Sequence, residues 1–464
     1  MVLLLILYFL LLFAVSKFTT KTDSNSAFFR GERKSSWLMV AYGMIGASVS
    51  GVSFVSVPGM VIRQDMTYLQ TCLGFILGYF VVAFVLLPMY YKMNTTSIYE
   101  TIGNQRIAAL LYFVSDILGS AVKFFLVCSM LQMFIFDELG VPFVVTVPLL
   151  VGGIWLYTKA GGVRTLVFTD VLQTTCMLAA LIGLLWSLNE HYSPLIGNSE
   201  HLRVFEFSDF KSTQNFWKQF FSGAFIVVVM TGLNQNMMQK NLTCRTLKEA
   251  QKNMSLCGFF FVPVNFLFLI LGIMLTLWVG HAGELVEMPA KGDDLLPLYI
   301  ETSNLLWVKI LFVLGIISAA FSSADSSLTA LTTSFCVDIL RKPNEEKLRK
   351  YIHLFIAIAF IGVVFMIKAI GSGSLLDLVY VLVSYTYGPL LGLFIFNMTA
   401  KNKHLPSVPT LIICIAAPIL CYALNQYSLS EYNYKFGYEL LLINGFLSFA
   451  SLKTLNIFAK NEKK

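Results

Sequence analysis

Between Ser318 and Asp338 the chain reads SAAFSSADSSLTALTTSFCVD, an apolar stretch crowded with hydroxyls and carrying one mid-stretch carboxylate, Asp325. On a helix, Ala319, Ser322 and Ser323 stand at i, i+3 and i+4 and share one face. One backbone carbonyl and two hydroxyls on that face offer three oxygens to a hard monovalent cation. A carboxylate inside a bilayer is costly and marks a functional position. Small residues also serve close packing between membrane helices, so the run alone leaves both readings open.

A second stretch supplies the missing oxygens. Residues 41–60, AYGMIGASVSGVSFVSVPGM, interleave Gly43, Gly46, Gly51, Pro58 and Gly59 with Ser48, Ser50, Ser53 and Ser56. Such a sequence makes a poor continuous helix, and an unwound turn in it would aim carbonyls at a cavity, as discontinuous helices do when they hold Na⁺ at mid-membrane. The alternative is packing through small residues. A third stretch, residues 221–240, FSGAFIVVVMTGLNQNMMQK, is interrupted by Gly232 and by the amides Asn234, Gln235, Asn236 and Gln239. Lys123 lies in the middle of SDILGSAVKFFLVCSML, too deep for easy snorkelling. It reads either as half of an ion pair with Asp116, two turns earlier, or as a counter-charge for a solute carboxylate.

These residues need a membrane frame, and composition provides it. The 464 residues are 57% hydrophobic and 13% charged, with a mean hydropathy of +0.73. Soluble domains carry about 25% charged residues, so the chain is an all-α integral membrane protein. The first eighteen residues lack a basic n-region, which favours a retained helix over a signal peptide. The eight cysteines show no ligand spacing and read as core residues. His191, His201, His281, His353 and His404 fall in loops or at helix edges, which argues against a histidine or metal centre inside the membrane. The net charge of +7 reflects topology, and no nucleic-acid partner is expected.

Runs long enough to span occur at about 1–18, 37–62, 68–92, 107–135, 141–157, 163–188, 215–238, 254–280, 303–337, 351–370, 374–397, 408–424 and 437–458. Thirteen spans put the termini on opposite sides. Most of the 33 basic residues then share one side: Lys17 and Lys21 to Lys34, Lys92, Arg106, Lys159, Arg164, Lys240 to Lys252, Arg341 to Lys350, Lys401, Lys403, and the tail from Lys453 through Lys463 and Lys464. The bias predicts an external N-terminus and a cytoplasmic C-terminus. The two interrupted stretches lie in the second and seventh spans. Spans 2–6 and 7–11 therefore form two halves of opposite orientation, the mark of an inverted-repeat transporter.

Together the Gly46–Gly59 stretch, the SSADSSLTALTTSFCVD run and KAGGVRTLVFTDVLQ at residues 159–173 resemble the sodium:solute symporter family, with NQNMMQK fitting more weakly. The resemblance covers about residues 37–400. It implies a five-plus-five inverted repeat with two discontinuous helices, and a main Na⁺ site formed by the carbonyls of Gly46, Val49 and Ala319 and the hydroxyls of Ser322 and Ser323. It also implies a second cation between Asp170 and the serine helix, at Ser322, Asp325 and Ser326. Two carboxylates this close repel unless a cation or proton sits between them. A structural Asp325 is the alternative. The basic residue at the depth of Lys123 resembles acid-carrying branches, including sialic-acid carriers. The expected cavity wall is Ser48, Ser50, Ser53, Phe54, Gln70 and Asn234, with Phe54 stacking or gating.

The domain expectation is one transmembrane unit over 1–464. It comprises a peripheral first helix and inner loop (1–36), a core (37–400, with halves 37–188 and 215–397) and two peripheral C-terminal helices (408–458). The functional expectation is a Na⁺-driven symporter importing a small polar or anionic organic solute by alternating access, working as a monomer in the lipid bilayer of a bacterial inner membrane. The competing classes are an uncoupled channel or facilitator, and a membrane-embedded enzyme or receptor subunit. No GxxxxGK[ST] loop supports ATP-driven transport.

Overall fold

A computed structural model of the chain describes residues 1–20, 24–282, 287–370, 375–400, 405–434 and 436–461. Lys21, Lys401, Lys403, His404, Lys463 and Lys464 lie outside them. Among the described residues the regular structure is all helix, joined by loops, with one isolated bridge, Ser35 to Cys244.

In chain order the helices are α1 (Val2–Thr19), α2 (Asn25–Arg30), α3 (Trp37–Ser48), α4 (Gly51–Gln64), α5 (Tyr68–Met93), α6 (Gln105–Phe136), α7 (Phe143–Gly161) and α8 (Val163–Tyr192). There follow α9 (Phe216–Gly232), α10 (Gln235–Asn241), α11 (Leu247–Ala282), α12 (Leu295–Thr302) and α13 (Leu306–Ile339). The last four are α14 (Glu346–Ile370), α15 (Leu375–Thr399), α16 (Ser407–Tyr432) and α17 (Leu440–Asn461). Eleven helices are long and apolar enough to cross a bilayer, and the bent pairs α3/α4 and α9/α10 bring the spans to 13. The pairs bend by 55° and 69°. Both fall where glycine and polar residues interrupt the apolar run.

Two long helices, α8 and α13, pack along each other and carry α3 between them and the rest of the core. Glycine makes this approach feasible. A Cβ at Gly43 would fall 2.7 Å from Asp170 Cβ, and one at Gly46 would fall 2.0 Å from Thr174 Oγ1. The small residues of α3 therefore serve close packing on their α8 face while the chain unwinds just beyond.

Partners made at the end of the molecule rich in Lys and Arg hold the second break. Gln235 accepts from the Ile98 backbone N–H at 3.0 Å, and Gln239 donates to the Phe29 carbonyl and to Thr333 Oγ1, each at 2.9 Å. One histidine departs from expectation. His353 lies within α14 and is buried, joined to Thr158 Oγ1 at 3.0 Å and Thr332 Oγ1 at 2.8 Å. It ties three helices together. Among the described residues no cluster of His, Cys, Asp or Glu could hold a metal.

Candidate functional site

Between α3 and α4 the backbone is extended at Val49 (φ −86°, ψ 90°) and Ser50 (φ −76°, ψ 168°). Among the described residues no hydrogen bond reaches the carbonyls of Gly46 or Val49. A bare, buried carbonyl inside a membrane protein is costly, so these oxygens are open to a water or a cation, although neither Gly46 nor Val49 lines the cavity that Ser322 and Ser323 line. Across from them stands α13. Ser322 donates to Asp170 Oδ1 at 2.7 Å, and Ser323 donates to the Ala319 carbonyl at 3.3 Å. With their protons so directed, both hydroxyls keep lone pairs for a cation. Val49, Ala319 and Ser322 are almost fully buried.

Ser322 and Ser323 open onto a cavity of about 100 Å³ that Ser48, Ser50, Ser53, Lys123 and Asn234 also line. Seven of the predicted residues thus converge, from four spans. Ser48 shares a hydrogen bond with Tyr79 at 3.1 Å, and Asn234 donates to Asp116 Oδ1 at 3.1 Å and to Tyr387 at 2.9 Å. Asn234 also caps α10 by accepting from the Asn236 N–H at 2.8 Å.

Two predicted wall residues lie elsewhere. Phe54 is turned away, edge-on to Phe268 at 5.4 Å and beside Phe312 at 6.3 Å, in space left by Gly315. The bend rotates the apolar face of α4 toward the helices behind it. Gln70 is buried near the first turn of α5, where it donates to the Gln214 carbonyl at 2.9 Å and accepts from the Glu206 N–H at 3.0 Å. It anchors the loop before α9. Asp65 pins the same loop through Arg203 at 3.0 Å.

The carboxylates also differ from expectation. Lys240 was counted among the charges of a basic loop, yet it sits in α10, 1% exposed, and its ammonium lies 2.7 Å from Asp170 Oδ2. A tethered cation therefore stands where a free ion was expected against Asp170. Asp325 has neutral partners: Tyr157 donates at 2.7 Å, Ser326 at 3.1 Å and Gln173 at 3.4 Å. Lys123 forms no ion pair with Asp116 within 4.0 Å, although both line the cavity. Sequence reasoning missed Lys240, Tyr157 and Tyr79, and took Asp116 only as a structural partner. The available signal for Lys240 was its place six residues after Asn234, at the end of an amide-rich segment.

A helical membrane bundle with two broken spans around a polar mid-membrane cavity is the architecture of a secondary transporter. Residues 28–403 match the sodium:solute symporter family, and the chain belongs to it. It is a sodium-coupled solute transporter and not an enzyme. The Homo sapiens sodium/iodide cotransporter is 24% identical over 83% of this chain and 63% of its own length. The sodium/sialic acid symporter of Proteus mirabilis (strain HI4320) is 22% identical over 86% of this chain and 84% of its own. A substrate-bound, outward-open Na⁺-coupled sialic acid symporter superposes with a TM-score of 0.79 at 17% identity, covering 97% of this chain and 95% of that one. A nucleobase-cation-symport-1 family transporter gives 0.61 at 13% identity over 93% and 95%. These likenesses fix the five-plus-five inverted-repeat fold.

Proposed function

We propose that the chain imports a small polar or anionic organic solute, driven by Na⁺ held between the two halves of the core. The ion's ligands are the carbonyls of Gly46, Val49 and Ala319 and the hydroxyls of Ser322 and Ser323. The observation that carries this reading is the pair of bare carbonyls at the α3/α4 break, beside a cavity that Ser322 and Ser323 line. Five neutral oxygens hold Na⁺ weakly enough for release, which a transport cycle requires.

In this reading the solute lies among Ser48, Ser50, Ser53 and Asn234, with Lys123 facing its negative charge. One Na⁺ site is committed. At the second position Lys240 supplies the positive charge on Asp170, so Ser322, Asp325 and Ser326 act as support for the first site. The N-terminus is external and the C-terminus cytoplasmic, in a bacterial inner membrane, and the monomer is the working unit. Residues 37–400 form the moving core, with 1–36 and 408–458 at its edge.

The test is uptake by purified protein in liposomes, with and without an inward Na⁺ gradient. Accumulation above the external concentration only with the gradient supports coupling. Equilibration without accumulation would make the chain a facilitator.

A further inference from the structure

We propose that the cavity selects a small zwitterion, whose carboxylate meets Lys123 and whose ammonium meets Asp116. This rests on the symport reading above and names its solute class.

Both residues line the same cavity of about 100 Å³. That is small beside the several hundred cubic ångströms of an ordinary ligand pocket, so the solute is compact. These two opposite charges face one cavity without closing into a contact ion pair. Asp116 receives hydrogen bonds from Asn234 at 3.1 Å and from Ser327, both neutral. Lys123 has no hydrogen-bond or ion-pair partner among the described residues, and no ion pair within 4.0 Å joins it to Asp116. Asp116 is buried and Lys123 half-buried, and a charge drawn this far from water gains from an opposite charge set against it, which a dipolar solute brings to both heads.

The spacing suits a dipolar molecule. Seven residues along a helix separate the two attachment points by roughly 10 Å, and the long lysine side chain leans toward the helix N-terminus, where Asp116 lies. That disposition suits a solute whose ammonium and carboxylate are separated by only one or two carbon atoms. A plain anion would satisfy Lys123 but confront the Asp116 carboxylate, and a plain amine would do the reverse. A zwitterion matches both and adds no net charge to the membrane interior. The rest of the wall includes Phe75, Ile226, Met230 and Phe261, which accommodate a short apolar side chain. Asn234 and Ser327, the partners of Asp116, sit at the second break and on α13. Filling the Asp116 end therefore bears on both the hinge and the helix that carries Ser322.

The experiment uses the full chain in liposomes with an inward Na⁺ gradient. The panel contains short α- and β-amino acids and betaines, with monocarboxylates and amines of the same skeletons. A zwitterion should accumulate, and its matched anion and amine should compete at least about tenfold more weakly, because each leaves one buried charge unmet. Asp116→Asn should shift competition toward monocarboxylates, and Lys123→Gln toward amines. A purely structural role would produce neither shift. If Asp116→Asn folds poorly through loss of its Asn234 and Ser327 bonds, Lys123→Gln decides, and unchanged zwitterion selectivity in it overturns the proposal. Na⁺-driven uptake of a monocarboxylate with the matching zwitterion excluded overturns the zwitterion and leaves symport standing. Absence of Na⁺-driven accumulation across the whole panel overturns the zwitterion as well.

Discussion

The two broken spans solve the same problem in opposite ways. At the second break, the carbonyls of Gly232 and Leu233 accept from the hydroxyls of Tyr90 and Tyr99, each at 2.8 Å, and Asn234 caps the helix that follows. At the first, the carbonyls of Gly46 and Val49 take no hydrogen bond among the described residues. A break in a membrane helix must satisfy its freed backbone groups from within the protein. Where tyrosines have done so, the freed carbonyls already have donors and no cation is needed to satisfy them. Where nothing has, the backbone is itself a ligand. The asymmetry supports the proposal that Na⁺ binds at the α3/α4 break while the solute touches both.

The comparison is most exposed at Lys240, which follows the second break and grips Asp170 on the helix behind the first. Lys240→Met leaves a buried carboxylate unpaired, which should cost about 3–5 kcal/mol and show as a large fall in thermal midpoint. Lys240→Met/Asp170→Asn should recover most of it. A single mutant as stable as the parent would mean the ammonium is not the partner of Asp170, and would reopen the second cation position. Next in size are Ser322→Ala and Ser323→Ala. Each removes one ligand oxygen, at about 1–3 kcal/mol, so half-saturating Na⁺ should rise roughly 5- to 150-fold. Thermal stability should change little in Ser323→Ala and fall in Ser322→Ala, which also loses its hydrogen bond to buried Asp170. Unchanged Na⁺ dependence in both would sink the site.

Glycine separates the breaks a third time. A Cβ at Gly46 meets Thr174 down to its Cα, at 3.0 Å, whereas one at Gly232 meets only the side chains of Leu86 and Val82. Gly46→Ala should therefore cost about 1–3 kcal/mol through overpacking, and Gly232→Ala less, since those side chains have room to turn. Equal thermal shifts would show that both breaks are equally confined.

The sequence disclosed whatever is local. Apolar run length marked the spans, and clusters of glycine or amides marked both breaks. The one-face spacing of Ala319, Ser322 and Ser323 survives intact on α13. What it hid depends on direction after a bend. Phe54 follows the unwound turn, and a 55° change of axis decides which helix its ring meets. Gln70 shares the polarity of a cavity residue but lies beside a loop whose path the sequence does not reveal. Lys240 is the last but one residue of a seven-residue helix, and hydropathy cannot tell a lysine that leaves the membrane from one that folds back onto Asp170. The bareness of the first break is likewise invisible, because it is the absence of a donor such as the one Tyr99 brings to the second from a distant segment.

That contrast yields the finest test. Tyr90→Phe and Tyr99→Phe keep the ring and remove only the hydroxyl, so each leaves one carbonyl of the second break without its donor. The loss should be about 1–3 kcal/mol of stability, the cost of leaving a buried acceptor unmet. The freed carbonyls of Gly232 and Leu233 belong to the break that is not proposed to hold Na⁺. Half-saturating Na⁺ should accordingly stay within about twofold of the parent, a change of under ~0.5 kcal/mol. Thermal midpoints and Na⁺ titrations on the same preparations measure both quantities. If Na⁺ affinity instead moved with stability in the tyrosine variants, the two breaks would act as one site, and the division of labour between them would fail.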